Sequence, residues 1–98
     1  MAKNKHKKKK CYGARRIWLN TDKEQLACVA WDVSSTKYGK GKPSISSDFT
    51  IRDCSRVVTL EFYCDAGEYA ERLKKADKLL KEVTLFRDAL SKAIEDSE

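Results

Sequence analysis

Proline occurs once in this chain, histidine once and methionine once, and none of its apolar stretches is long. A lone proline excludes a polyproline or collagen-like polymer, and the absence of an extended apolar run excludes a helical membrane span. The single histidine, His6, lies in a lysine-rich stretch with no neighbour to fix its tautomer, so Ser-His and Cys-His nucleophile schemes lack a base. Glycine is scarce as well: YGKGKP has neither the spacing of a phosphate-binding loop nor a helix directly after it. These absences predict a protein that is not an enzyme and takes no small-molecule substrate and no cofactor.

The four cysteines, Cys11, Cys28, Cys54 and Cys64, are separated by sixteen, twenty-five and nine residues, whereas structural zinc usually takes ligands in close pairs. No metal is expected. No apolar stretch follows Lys10 as it would in a secretory signal, so the expected setting is the cytoplasm, where the cysteines stay free and behave as small buried hydrophobes.

What is present is charge, unevenly placed. Residues 1–16 carry eight Lys or Arg and no acid, whereas residues 17–98 carry thirteen basic and fifteen acidic side chains, so the net +6 resides in the N-terminal segment. From Met1 to Lys10 there is no apolar periodicity, and six lysines repel one another, so residues 1–11 are expected to be a flexible, disordered basic arm. Ninety-eight residues suffice for one core, which places a single ββββα domain over 12–98. Deleting residues 2–10 should then leave the body folded.

Period-two alternation marks the strands. The first is expected over Arg15 to Asn20, followed by a turn at Asn20 to Lys23; the second, about Gln25 to Ser34, puts Ala27, Val29, Trp31 and Val33 on one core-facing side. Ser35 to Ser44 contains two glycines, a proline and three lysines and reads as an exposed connection. Ile45, Ser47, Phe49 and Ile51 alternate along a third strand and Val58, Leu60 and Phe62 along a fourth, with only Asp53-Cys54-Ser55 between, which implies an antiparallel hairpin. The expected fold class is α+β: a four-stranded antiparallel sheet packed on one long C-terminal helix.

Asp65 and Glu68 have the spacing of a capping box and predict the helix start. Beyond them Tyr69, Leu73, Ala76, Leu80, Val83, Leu90 and Ile94 form an apolar stripe broadened by Leu79 and Phe86. An unbroken helix would span roughly 45 Å, against roughly 23 Å for a seven-residue strand. The surplus stripe, chiefly Val83, Phe86, Leu90 and Ile94, must therefore form a homodimer, bind another protein, or fold back after a break near Thr84.

Flexible lysines neutralise phosphates and release counterions, so Lys3, Lys5, Lys7, Lys8, Lys9, Lys10, Arg15 and Arg16 are the candidate contacts to DNA or RNA. Lys37, Lys40 and Lys42 extend that footprint, with Tyr38 placed to stack on a base. A solvated solubility tail, or in a eukaryotic protein a nuclear-localisation run at KHKKKK, is the plainer use of such a segment. On the sheet's other face Arg52, Tyr63 and Trp18 are mixed with Asp48 and Glu61, a surface better matched to protein than to a bare nucleic-acid strand.

The stretch FTIRDCSRVVTLEF, followed by a helix ending in LFRDALSKAI, resembles small bacteriophage-encoded accessory proteins, including anti-CRISPR inhibitors of host defence, over about residues 45–94. The resemblance implies an inhibitor of a host nucleoprotein complex such as a CRISPR effector, acting by occupying a nucleic-acid channel or preventing assembly. The alternatives are an architectural DNA- or RNA-binding or virion-packaging protein and a dimeric protein-binding adaptor.

Overall fold

The computed structural model describes residues 7–20 and 26–98. Four strands, β1 (Lys7–Trp18), β2 (Ala27–Tyr38), β3 (Ser44–Asp53) and β4 (Arg56–Glu61), form one antiparallel sheet in sequence order, followed by a helix, α1 (Tyr69–Ser97). The expected α+β class is the observed one. Every connection within the sheet is between neighbours, so the sheet is an open meander with β1 and β4 as its edges. No helix among the described residues is long and apolar enough to cross a membrane.

The register sorts the side chains as the alternation predicts. Ile17, Val29 and Ile51 pair across one face, followed by Trp31, Phe49 and Leu60, while Trp18, Cys28, Arg52 and Val57 pair across the other. The helix meets the first face. Tyr69, Arg72, Leu73 and Ala76 approach Trp31, Val33, Ile45, Phe49 and Phe62, leaving a concave apolar groove of about 430 Å³ between helix and sheet.

The N-terminal segment differs from expectation. Lys7–Cys11, predicted as part of a disordered arm, pair with Ser34–Tyr38 as the first half of β1; residues 1–6 lie outside the described residues. Two effects outweigh lysine repulsion. Extended β2 supplies partners for the backbone amides, and strand geometry sends successive lysines to opposite faces, which halves the crowding on each. A deletion of residues 2–10 would therefore cut into the sheet. The predicted Ser35–Ser44 connection shrinks correspondingly to 39–43, with Gly39 in the left-handed region at φ 61°, and Ser35 is buried within β2. Of the predicted turn at Asn20 to Lys23, all beyond Asn20 lies outside the described residues.

The β3–β4 hairpin turns at Cys54 and Ser55, where Cys54 takes the left-handed φ of 56°. The cysteines are all free, but only half of them are core residues: Cys28 and Cys64 are buried, and Cys11 and Cys54 are exposed.

Only half of the predicted capping box forms. The Glu68 side chain accepts the Asp65 backbone N–H at 2.9 Å, whereas the Asp65 carboxylate turns to the sheet and accepts the Ser44 and Tyr63 hydroxyls at 2.6 and 2.9 Å. The helix consequently starts at Tyr69, four residues later than its first signal. Gly67, at φ 95°, makes the turn between them. From Tyr69 to Ser97 the helix is unbroken; Thr84, the expected break point, bonds its hydroxyl to the Leu80 carbonyl at 2.8 Å and stays helical. A fold-back is therefore ruled out as the fate of the surplus stripe.

Candidate nucleic-acid interface

Strand pairing, rather than flexibility, assembles the basic residues. Lys7, Lys8, Lys9 and Lys10 stand opposite Tyr38, Lys37, Thr36 and Ser35, and the turn after Tyr38 carries Lys40 and Lys42. One end of the sheet thus gathers the N-terminal lysines and the second basic element, which are about thirty residues apart in the chain. Lys8 and Lys37 are direct cross-strand partners, a like-charge juxtaposition that opposes sheet formation. The described ion pairs are Arg72–Glu68, Arg87–Asp88 and Lys92 with Glu95 and Asp96, so none of these lysines has a carboxylate partner among the described residues.

Aromatic rings flank this cluster. The Lys10 ammonium lies 5.0 Å from the Tyr12 ring centre, a cation–π distance that covers one face of that ring, and Tyr12 and Tyr38 are 61% and 64% exposed, so the other Tyr12 face and the Tyr38 ring are open to stacking. Between Cys11 and Gly13 the register shifts, so Tyr12 occupies a bulge on an edge strand. Edge-strand lysines also deter edge-to-edge association, which is a structural use of the same residues.

The remaining predicted contacts are dispersed. Arg15 pairs with Trp31 and Arg16 with Ala30, which sends the two guanidiniums to opposite faces and away from the lysine end. Lys3 and Lys5 lie outside the described residues. Val83, Phe86, Leu90 and Ile94 are all exposed on the free half of the helix.

Comparison with protein-family models, curated proteins and solved structures found no match.

Asp48 and Glu61 stand out in the sequence, but their alignment does not. The register places Asp32, Asp48 and Glu61 in one cross-strand row on the face opposite the helix. That row would repel phosphate from this face of the sheet. Its signal is Asp32 itself, the one acidic residue of β2, and only the register aligns it with β3 and β4.

No group of three or more potential metal-binding His, Cys, Asp or Glu side chains occurs among the described residues. Burial pushes the Cys64 thiol pKa up, partly opposed by the nearby Arg72 guanidinium, which keeps this cysteine a neutral apolar residue at the groove wall.

Proposed function

We propose that this chain is a non-enzymatic binding protein that lays the lysine end of its sheet along a nucleic-acid backbone while the folded body meets protein. The observation that carries the reading is the Lys8–Lys37 cross-strand pair, set among Lys7, Lys9, Lys10, Lys40 and Lys42 with no acidic partner among the described residues. A cluster of like charge raises the potential at one end of a sheet, and a polyanion is the ligand that relieves it. The acidic row Asp32, Asp48 and Glu61 favours a nucleoprotein target over naked nucleic acid, because it confines phosphate contact to one end and leaves a mixed face for protein. Joined to the resemblance to phage accessory proteins, the reading makes the target a host nucleoprotein complex, such as a CRISPR effector, that the protein inhibits.

The test is fluorescence anisotropy with labelled duplex DNA, single-stranded DNA and RNA across a salt series, comparing wild type with Lys8→Glu/Lys37→Glu. Charge reversal is preferable to deletion because Lys7–Lys10 belong to β1. Wild type should bind with a salt slope of about −0.9 per neutralised phosphate, and the double variant should bind more weakly with a slope smaller by about two. Equal binding by both proteins at low salt would refute the lysine end as the contact. Tight wild-type binding to every naked nucleic acid would favour the architectural or packaging role.

A further inference from the structure

The chain leaves unburied most of what should be its core. Ala27, Cys28 and Cys64 are its only buried hydrophobic residues among those described, and no residue of α1 is buried. Its accessible surface is 8219 Å², whereas a folded monomer of 11.2 kDa exposes about 5,700 Å². The excess of roughly 2,500 Å² per chain, roughly 5,000 Å² for two copies, is at the upper end of what obligate dimers bury. The radius of gyration says the same: 18.3 Å against about 13 Å for a compact chain of this length.

The uncovered surface has two parts that complement each other. One is the groove floored by Trp31, Val33 and Phe49 and walled by Leu73 and Ala76. The other is the free half of α1, where Leu80, Val83, Phe86, Leu90 and Ile94 are 49–68% exposed. A small apolar ligand in the groove would leave this stripe in water.

The charge along α1 is compatible with a second copy as the occupant. Residues 69–81 of α1 carry Arg72, Lys74, Lys75, Lys78 and Lys81 against Glu71 and Asp77, a net +3, while residues 82–98 carry Arg87 and Lys92 against five acids, a net −3. In a lone helix this order is unfavourable, since the acids crowd the negative end of the macrodipole and no basic residue stands in the last turn. Beside an antiparallel copy of itself each half runs alongside its opposite, an attraction between whole halves and not between seam pairs, since Lys74, Lys78, Lys81, Glu82 and Asp88 stand on the side away from the apolar stripe. The seam positions Leu73, Ala76, Leu80, Val83, Leu90 and Ile94 follow a heptad, with Arg87 as a polar position that sets the register.

We propose that a second copy of this chain occupies the groove, in a two-fold dimer whose α1 helices run antiparallel. The acidic half of each helix lies against the basic half of the other, and Leu80, Val83 and Leu90 of one copy close over Trp31, Val33 and Phe49 of the other. The two apolar surfaces that each monomer leaves open thus become one core. This dimer does not depend on the nucleic-acid reading.

The experiment is light scattering with size exclusion, and sedimentation across a concentration series, on the full chain and two charge variants. One variant carries Lys74→Glu, Lys78→Glu and Lys81→Glu; the other carries Glu82→Lys, Asp88→Lys and Glu95→Lys. Wild type should run at twice 11.2 kDa, each variant alone at the single-chain mass, and an equal mixture of the two at twice that mass again. Recovery in the mixture requires that both variants are folded, which separates lost association from lost structure. A wild type at single-chain mass throughout overturns the proposal and assigns the groove to another occupant. Charge variants that dimerise alone, or a mixture that stays monomeric, overturn the antiparallel charge match.

Discussion

At Gly13 the bulge of β1 brings backbone against the Trp31 ring: a Cβ there would stand 2.8 Å from ring atoms Cη2 and Cζ3. Because Trp31 forms the groove floor, Gly13→Ala must tilt the indole, and overpacking of this kind costs about 1–3 kcal/mol. The loss should appear in chemical denaturation together with a change in tryptophan emission. Trp31→Phe, which shortens the ring, should make the added methyl nearly harmless, so the double variant should lose less than the sum of the two single losses. Equal losses for Gly13→Ala in both backgrounds would show that the ring is not what the methyl meets.

The helix and the sheet are held together chiefly by polar bonds near the start of α1. Tyr69 donates its hydroxyl to the Pro43 carbonyl at 2.5 Å, Arg72 Nε donates to the Tyr63 carbonyl at 2.8 Å, and Lys75 donates to the Glu61 carbonyl at 2.7 Å. Lys75 also lies 4.7 Å from the Phe62 ring centre. Before them, Asp65 ties Ser44 of β3 to the turn that launches the helix. The Ser44 hydroxyl and then the Tyr63 hydroxyl hold the Asp65 carboxyl below its ordinary value of 3.8. A depressed carboxylate pKa adds stability that is complete above the unfolded value and disappears as pH falls through the folded one. Urea midpoints should therefore drop on acidification below pH ~4, and Asp65→Asn should lower the neutral-pH midpoint while flattening that acid limb. An unchanged acid limb in Asp65→Asn would assign the pH dependence to other carboxylates.

At the scale of the molecule, extents of 67 × 30 × 19 Å describe a sheet with a helix projecting from it, and almost nothing among the described residues is sealed from water. The proposed dimer would supply the missing burial. Its thermal midpoint should then rise with protein concentration, as expected when folding and dimerisation are linked. Calorimetric scans over a wide concentration range check this; a midpoint independent of concentration would mean that the monomer is stable by itself. The lysine end lies at Lys7–Lys10, Lys37 and the turn after Tyr38, and the groove floor at Trp31 and Val33 of the same β2, so the proposed polyanion contact and the proposed association would use separate stretches of one sheet.

Alternation by itself determined the four strands, their order of faces and the β3–β4 hairpin, because period two is a local property that water enforces wherever one face is apolar. The 3.6-residue period likewise determined the helix and its stripe; the length mismatch expected from seven-residue strands does not hold, because β1 and β2 are twelve residues long, and the stripe is left over because only the first turns of α1 meet the sheet. Tertiary structure alone decided the fate of Lys7–Lys10, since a lysine run becomes a strand only when another strand, here the extended end of β2, supplies its hydrogen bonds. It also decided the half-made capping box, because Asp65 could be drawn from the helix only by hydroxyls 21 residues before it and two before it, at Ser44 and Tyr63. The Lys8–Lys37 pair and the Asp32–Asp48–Glu61 row depend on register, and register is set by contacts between distant segments that no local pattern encodes.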